Sequence, residues 1–201
     1  MRIASDGLPF ILPPALIAAV ALATQLPYLA SASVIVAVAL AAFFRDPDRL
    51  VCAAPNAVLS PADGRVVEVQ SDVAGVSIAV FLSLLNVHVA RSPIAGQLVR
   101  CEAKGGGYAA AFSPRARHNA RVEMDITSST NMVRLSLIAG LVARRVLPWV
   151  EAPAPLRQGQ RIAIIRFGSR AEIQLPAGFE ATVQVGDTVR AGLTTIARRT
   201  E

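Results

Sequence analysis

Between Gly7 and Phe44 the chain carries no charged side chain, whereas beyond Phe44 apolar residues come in short runs broken by glycine, proline or charge. The apolar stretch divides near Gln25-Leu-Pro27 into two halves, roughly Leu8 to Thr24 and Tyr28 to Phe44. Each half sits at the short end of the ~17–25 residues that a spanning helix requires. The pattern predicts a helical hairpin. Pro13 and Pro14 disturb its first half, which leaves a shallow re-entrant pair as the alternative. A cleaved signal peptide fits less well: its apolar core would be unusually long, a second apolar stretch follows, and Asp6 weakens a positive n-region.

After Phe44 the character changes at Arg45-Asp-Pro-Asp-Arg49, which reads as an interfacial linker closing a membrane-associated segment over residues 1–50. Residues 51–201 are enough for one globular domain. Their β-branched runs, Gly64 to Val69, Val76 to Phe81, Ile94 to Val99, Arg121 to Ile126, Met132 to Leu137, Arg161 to Ile165 and Ala171 to Leu175, are mostly separated by glycine or proline. That rhythm predicts a mainly β sandwich or barrel rather than alternating βαβ units. Ser136 to Val150 reads as strand then loop, and Gly105 to Tyr108 as a loop. Three segments repeat a turn glycine before a strand: Pro61 to Val66, Pro93 to Leu98 and Val185 to Val189. The last continues through Arg190 to Ala197 in the manner of lipoyl and biotinyl hairpins, so a barrel-sandwich, lipoyl-like domain is the expected architecture.

Composition sharpens this picture. In 201 residues, 53% are hydrophobic, and the mean hydropathy of +0.48 is too apolar for one ordinary soluble domain. Arg2 precedes the apolar pair and Arg45 and Arg49 follow it, so both ends of a hairpin belong in the cytoplasm by the positive-inside bias. The net charge of +6 favours an anionic surface, and a bilayer suits it better than nucleic acid, since no basic helix with interleaved aromatics occurs. Nucleic-acid binding is not expected. Cys52 and Cys101 stand far apart without histidines at ligand spacing, so no metal site is expected, and a cytoplasmic domain would keep both reduced.

One dipeptide carries candidate chemistry. Gly168-Ser169 lies in the apolar run Arg161 to Arg170. A serine hydroxyl held against the preceding glycine carbonyl can attack it, because glycine has no Cβ to obstruct the approach. Elimination and hydrolysis would then leave a carboxyl end at Gly168 and a pyruvoyl group at residue 169. Alone, Gly-Ser is more simply a tight turn between strands.

Its company changes that. Ser60-Pro-Ala-Asp-Gly-Arg65, Phe81-Leu-Ser-Leu-Leu-Asn-Val-His-Val-Ala-Arg-Ser-Pro93 and the Gly-Ser site together resemble the short-form phosphatidylserine decarboxylase proenzymes. The likeness continues through Phe43-Phe-Arg-Asp-Pro47, the Asn119/Arg121 pair and Val185 to Gly192, in the family's order.

The resemblance implies self-cleavage between Gly168 and Ser169 into a β chain, 1–168, and an α chain, 169–201, with a pyruvoyl cofactor on the latter and no pyridoxal phosphate. The substrate would be phosphatidylserine in an anionic membrane, the products phosphatidylethanolamine and carbon dioxide, and the place the cytoplasmic face of an inner membrane; a homodimer is allowed. His88 matches the family histidine that serves self-cleavage and decarboxylation, and Asp63 the aspartate expected to orient it. Long-form relatives carry a second histidine where this chain has Arg91; Leu84 and Ala120 are smaller departures. His118 is left as a surface histidine. Lys104, the chain's only lysine, could help hold the lipid phosphate, as could Arg115, Arg117 or Arg121, and Asn119 joins Arg121 as a substrate-binding candidate. The rival readings are a membrane-anchored lipoyl-like carrier or adaptor and a pyruvoyl enzyme for a soluble amino acid. A carrier lacks a modifiable lysine at the hairpin tip, an adaptor leaves the coincidence of Gly-Ser, Asp63 and His88 unexplained, and a soluble substrate gives no reason for the apolar start.

Overall fold

The computed structural model of the protein describes residues 2–52, 56–107, 118–128, 131–140, 145–166 and 169–200. The chain divides into two compact units, Met1–Asp48 and Arg49–Glu201.

In the first unit, β1 (Arg2–Ile3), α1 (Leu8–Ala23) and α2 (Pro27–Phe43) precede β2 (Arg45–Asp46), which pairs antiparallel with β1. Gln25, at φ 56°, turns the chain between the helices. Small residues, Ala18, Ala21, Ala30 and Ser33, are buried, while Leu12, Leu16, Leu22, Ile35 and Val38 are exposed. Such burial of small residues with aliphatic chains outward suits helices that meet lipid. The stretch Ser5–Ala23 is long and apolar enough to cross a membrane, and α2 is shorter. The expected disturbance by Pro13 and Pro14 does not break α1, which runs through both. The pair removes two amide donors in the second turn and leaves the rest of the helical bonding intact.

The second unit is built of strands: β3 (Ala57–Leu59), β4 (Gly64–Asp72), β5 (Gly75–Leu82), β6 (Val89–Arg91), β7 (Gly96–Lys104), β8 (Arg121–Ser128), β9 (Asn131–Ala139), β10 (Val146–Pro148), β11 (Ala154–Leu156), β12 (Arg161–Ile165), β13 (Ser169–Pro176), β14 (Phe179–Ala181), β15 (Thr188–Val189) and β16 (Thr195–Arg199). They form an eight-stranded sheet ordered β11-β7-β8-β9-β13-β5-β4-β15 and two three-stranded sheets, β10-β12-β6 and β14-β16-β3. The pairs between these strands are antiparallel among the described residues. The chain is thus mainly β with an apolar helical start, as its pattern predicts. Two of the repeated turn-glycine segments lie side by side, since Thr188 and Val189 pair with Arg65 and Gly64. The end of Ser136–Val150 departs from expectation: Val146–Pro148 is a strand because it finds a partner in β12.

Alternation along the central strands separates two faces. On β13, Ala171, Ile173 and Leu175 are buried in the core with Val133, Leu135 and Leu137 of β9 and Ile78 and Val80 of β5. Arg170, Glu172 and Gln174 point to the other face, where they help line a polar groove of about 480 Å³. Gly64 is fixed by close approach: a Cβ there would sit 2.0 Å from the Phe81 carbonyl oxygen.

Candidate active site

Register brings Ser169 and His88 to one corner. Leu82, the last residue of β5, is paired with Ser169, the first of β13. Val89, the first residue of β6, is paired with Ile164 near the end of β12. The 83–88 connection therefore leaves β5 beside Ser169 and enters β6 beside the end of β12. A backbone bond of 3.0 Å from the Ile165 N–H to the His88 carbonyl ties that connection to β12. Gly168, the other half of the expected cleavage site, lies outside the described residues.

Ser169 is wholly buried, and its Oγ has no hydrogen-bond partner among the described residues. Position dictates the first property: the side chain is on the face shared with Ala171 and Ile173, away from the polar groove. A buried hydroxyl left unpaired costs about 1–3 kcal/mol, and native folds rarely keep such a group without a use. Across β9, Ser169 is paired with Ala139. The buried Asn119 donates from Nδ2 to the Ala139 carbonyl at 2.7 Å, and Ala139 N–H bonds to the Ala120 carbonyl at 2.9 Å. Asn119 thus braces the strand beside the serine.

His88 is also buried, together with Val87 and Val89. His88 lies in the connection just ahead of β6. That connection is cross-braced. Asn86 Oδ1 accepts from Ser83 N–H at 2.9 Å and from Ser83 Oγ at 2.7 Å, while Asn86 N–H returns a bond to the Ser83 carbonyl at 3.0 Å. His88 Nδ1 lies 2.9 Å from the Asn86 carbonyl oxygen. A carbonyl can only accept, so Nδ1 carries the proton and Nε2 is the basic nitrogen of the neutral ring.

Asp63 stands in the turn between β3 and β4. Its two oxygens take both terminal nitrogens of Arg49, at 2.6 and 2.7 Å, and Oδ1 also accepts Ala191 N–H at 2.7 Å. Arg49 Nη1 donates further to the Ala191 carbonyl at 2.6 Å. Both side chains are nearly buried, at 7% and 11% exposure. The ring clamps the start of this unit and the turn after β15 onto the Pro-Ala-Asp-Gly loop. The sequence accounts for Arg49 as part of the linker and of the positive flank of the apolar pair, and no local signal marks it as the partner of a residue fourteen positions on. Arg91, which replaces the second histidine of long-form relatives, is buried in β6 and donates to the Gly159 carbonyl at 3.1 Å.

Lys104 and Arg121 face each other across β7 and β8. Both engage Glu123, at 2.7 and 2.8 Å, on the polar face of the sheet. Their hydrogen bonds hold the Glu123 carboxyl down at about 2. Arg100 and Arg134 flank Asp125 in the same way, at 2.8 and 2.9 Å. His118 is exposed, Gly107 is bridged to Asn119, and Tyr108, Arg115 and Arg117 lie outside the described residues. Cys52 and Cys101 are free thiols.

Comparison with known proteins joins these pieces. Residues 37–197 match the family model described as phosphatidylserine decarboxylase. A protein of Streptomyces coelicolor named phosphatidylserine decarboxylase proenzyme is 39% identical over 98% of this chain and 93% of its own length. One of the same name from Burkholderia ambifaria is 44% identical over 77% of the chain and 76% of its length. A sequence from Methanosarcina mazei, named "Putative archaetidylserine decarboxylase proenzyme", is 38% identical over 96% of the chain and 84% of its length. With the matched segment running from the second helix through the serine corner to β16, the chain belongs to the phosphatidylserine decarboxylase family, a family of carboxy-lyases.

Proposed function

We propose that this chain is a proenzyme that cuts itself before Ser169 and then decarboxylates phosphatidylserine to phosphatidylethanolamine. The observation that carries the reading is the buried, unpartnered Ser169 Oγ at the corner shared with His88. Such a hydroxyl is desolvated and not committed to another acceptor, as a nucleophile toward its own preceding carbonyl needs to be.

His88 Nε2 takes the hydroxyl proton in maturation, with Nδ1–H anchored on the Asn86 carbonyl so that the ring keeps one tautomer. The orphaned oxygen fits conversion to a pyruvoyl group, since processing removes the hydroxyl that the fold leaves unsatisfied. That group supplies a carbonyl that engages the substrate amine and withdraws the electron pair left by departing carbon dioxide. His88 then delivers a proton to the reacting carbon from the same nitrogen. Asn119 holds β9 in register beside residue 169. Asp63 acts as a positioning residue through its clamp on Arg49 and Ala191, which fixes the loop whose Pro61 carbonyl receives Arg91 N–H at 2.8 Å, three residues beyond His88. The exposed aliphatic side chains of α1 and α2 support attachment at the cytoplasmic face of an inner membrane, where the substrate lies.

Intact-mass measurement of the wild type beside Ser169→Ala tests the proposal. The wild type is expected as two chains, 1–168 and 169–201, the smaller refractory to Edman degradation, and the variant as one chain. A wild type that stays whole and unmodified overturns it.

A further inference from the structure

The turn that carries His88 has an outward side that the chemistry leaves unused. Leu84 and Leu85 occupy its two central positions and are 56% and 84% exposed, while Leu82 just before them is 1% exposed. The three bonds between Ser83 and Asn86 close the turn beneath them and hold the pair out from the core. Arg145 lies at the same corner: it is exposed, and its carbonyl accepts the Arg166 N–H next to Ile165, whose own N–H bonds to His88. Two aliphatic side chains beside a cation are too little for a stable protein interface, which takes on the order of 800 Å² per partner. They suffice for shallow entry into an anionic lipid surface.

We infer that the Ser83–Asn86 turn is a wedge that enters an anionic phospholipid bilayer with Leu84 and Leu85, so that the Ser169–His88 corner opens at the level of the headgroups. This rests on the decarboxylase reading, because only a lipid substrate requires that corner to meet a bilayer. The wedge serves presentation of substrate rather than attachment, for which the apolar N-terminal helices are available.

The test uses the full-length, mature protein and the variant Leu84→Ser/Leu85→Ser. Turnover is measured on phosphatidylserine in phosphatidylcholine vesicles and on a short-chain phosphatidylserine kept monomeric in solution. The variant is expected to cleave itself normally, to lose about tenfold in kcat/KM on vesicles and to keep wild-type turnover of the monomeric substrate. Equal losses on both substrates, or none on vesicles, overturn the wedge. Failure of the wild type on both substrates would instead sink the decarboxylase reading and the inference with it. A second measurement places Leu85→Trp in a Trp149→Phe background, which leaves one tryptophan. Its emission is expected to shift to the blue on anionic vesicles and to be quenched by brominated lipid. An unmoved spectrum overturns the inference, as does a shift that appears without lipid as protein concentration rises, which would assign the tip to a second copy of the chain.

Discussion

Two polar groups buried in the same β unit are treated in opposite ways. The Asp63 carboxylate receives three donors, two from Arg49 and one from Ala191. The Ser169 hydroxyl, more deeply buried, receives none among the described residues. A fold that can gather an arginine and a distant backbone amide around one carboxylate has the means to satisfy a hydroxyl. On the proposed reading, the hydroxyl left unsatisfied at Ser169 is the group kept for reaction, and the satisfied Asp63 is a positioning residue.

The comparison breaks most visibly at Arg49. Arg49→Ala strands a buried carboxylate and is expected to cost about 3–5 kcal/mol, read by urea denaturation in detergent within the uncleaved Ser169→Ala background. Arg49→Met/Asp63→Leu is expected to recover most of that loss; a small effect of the single change would mean that water already serves Asp63. Next is His88→Ala, for which self-cleavage should slow at least about hundredfold, some 2.7 kcal/mol of barrier. A gel time course with wild-type kinetics would place the base elsewhere. The serine is the subtler case. In the uncleaved His88→Ala protein, adding Ser169→Ala should raise stability by about 1 kcal/mol, since it removes the unpaired hydroxyl; a loss of stability would show that Oγ has a partner after all.

The smallest effect belongs to the polar face. Glu123 is held near 2 by Lys104 and then Arg121, below its ordinary value of 4.5. A lowered carboxyl stabilises the fold above its unfolded-state value and loses that contribution as pH falls through the folded one. Glu123→Gln is therefore expected to cost under about 1 kcal/mol at neutral pH. Its difference from wild type should fade between pH 4.5 and about 2, and a pH-independent difference would assign Glu123 a packing role.

Much of this was legible in the chain. β12 coincides with the run Arg161 to Ile165, and β13 contains Ala171 to Leu175, because β-branched runs between breakers have few other ways to bury themselves. Ser169 was singled out by the resemblance that the neighbouring motifs carry, since Gly-Ser alone reads as a tight turn. What stayed hidden depends on register and on backbone partners. Lys104 and Arg121 face each other across β7 and β8, and only that pairing brings both to Glu123. The carbonyl beside His88 Nδ1 belongs to Asn86, and every residue offers a carbonyl, so no sequence signal marks that contact. Arg49 was hidden by its neighbourhood, since an arginine after an apolar helix already has an explanation as a topological signal.

The position of β13 has one more consequence. It lies in the middle of the eight-stranded sheet, paired along its length with β5 and over most of it with β9, while β16, also downstream of Ser169, lies between β14 and β3. A fragment starting at Ser169 would remain woven into its neighbours after the peptide bond is gone, with no loose end by which to leave. The mature assembly can then be reached only through the intact precursor. Once melted, its two pieces have lost the covalent connection that first guided them together, so heat inactivation of the finished protein should be a one-way process governed by a rate rather than an equilibrium.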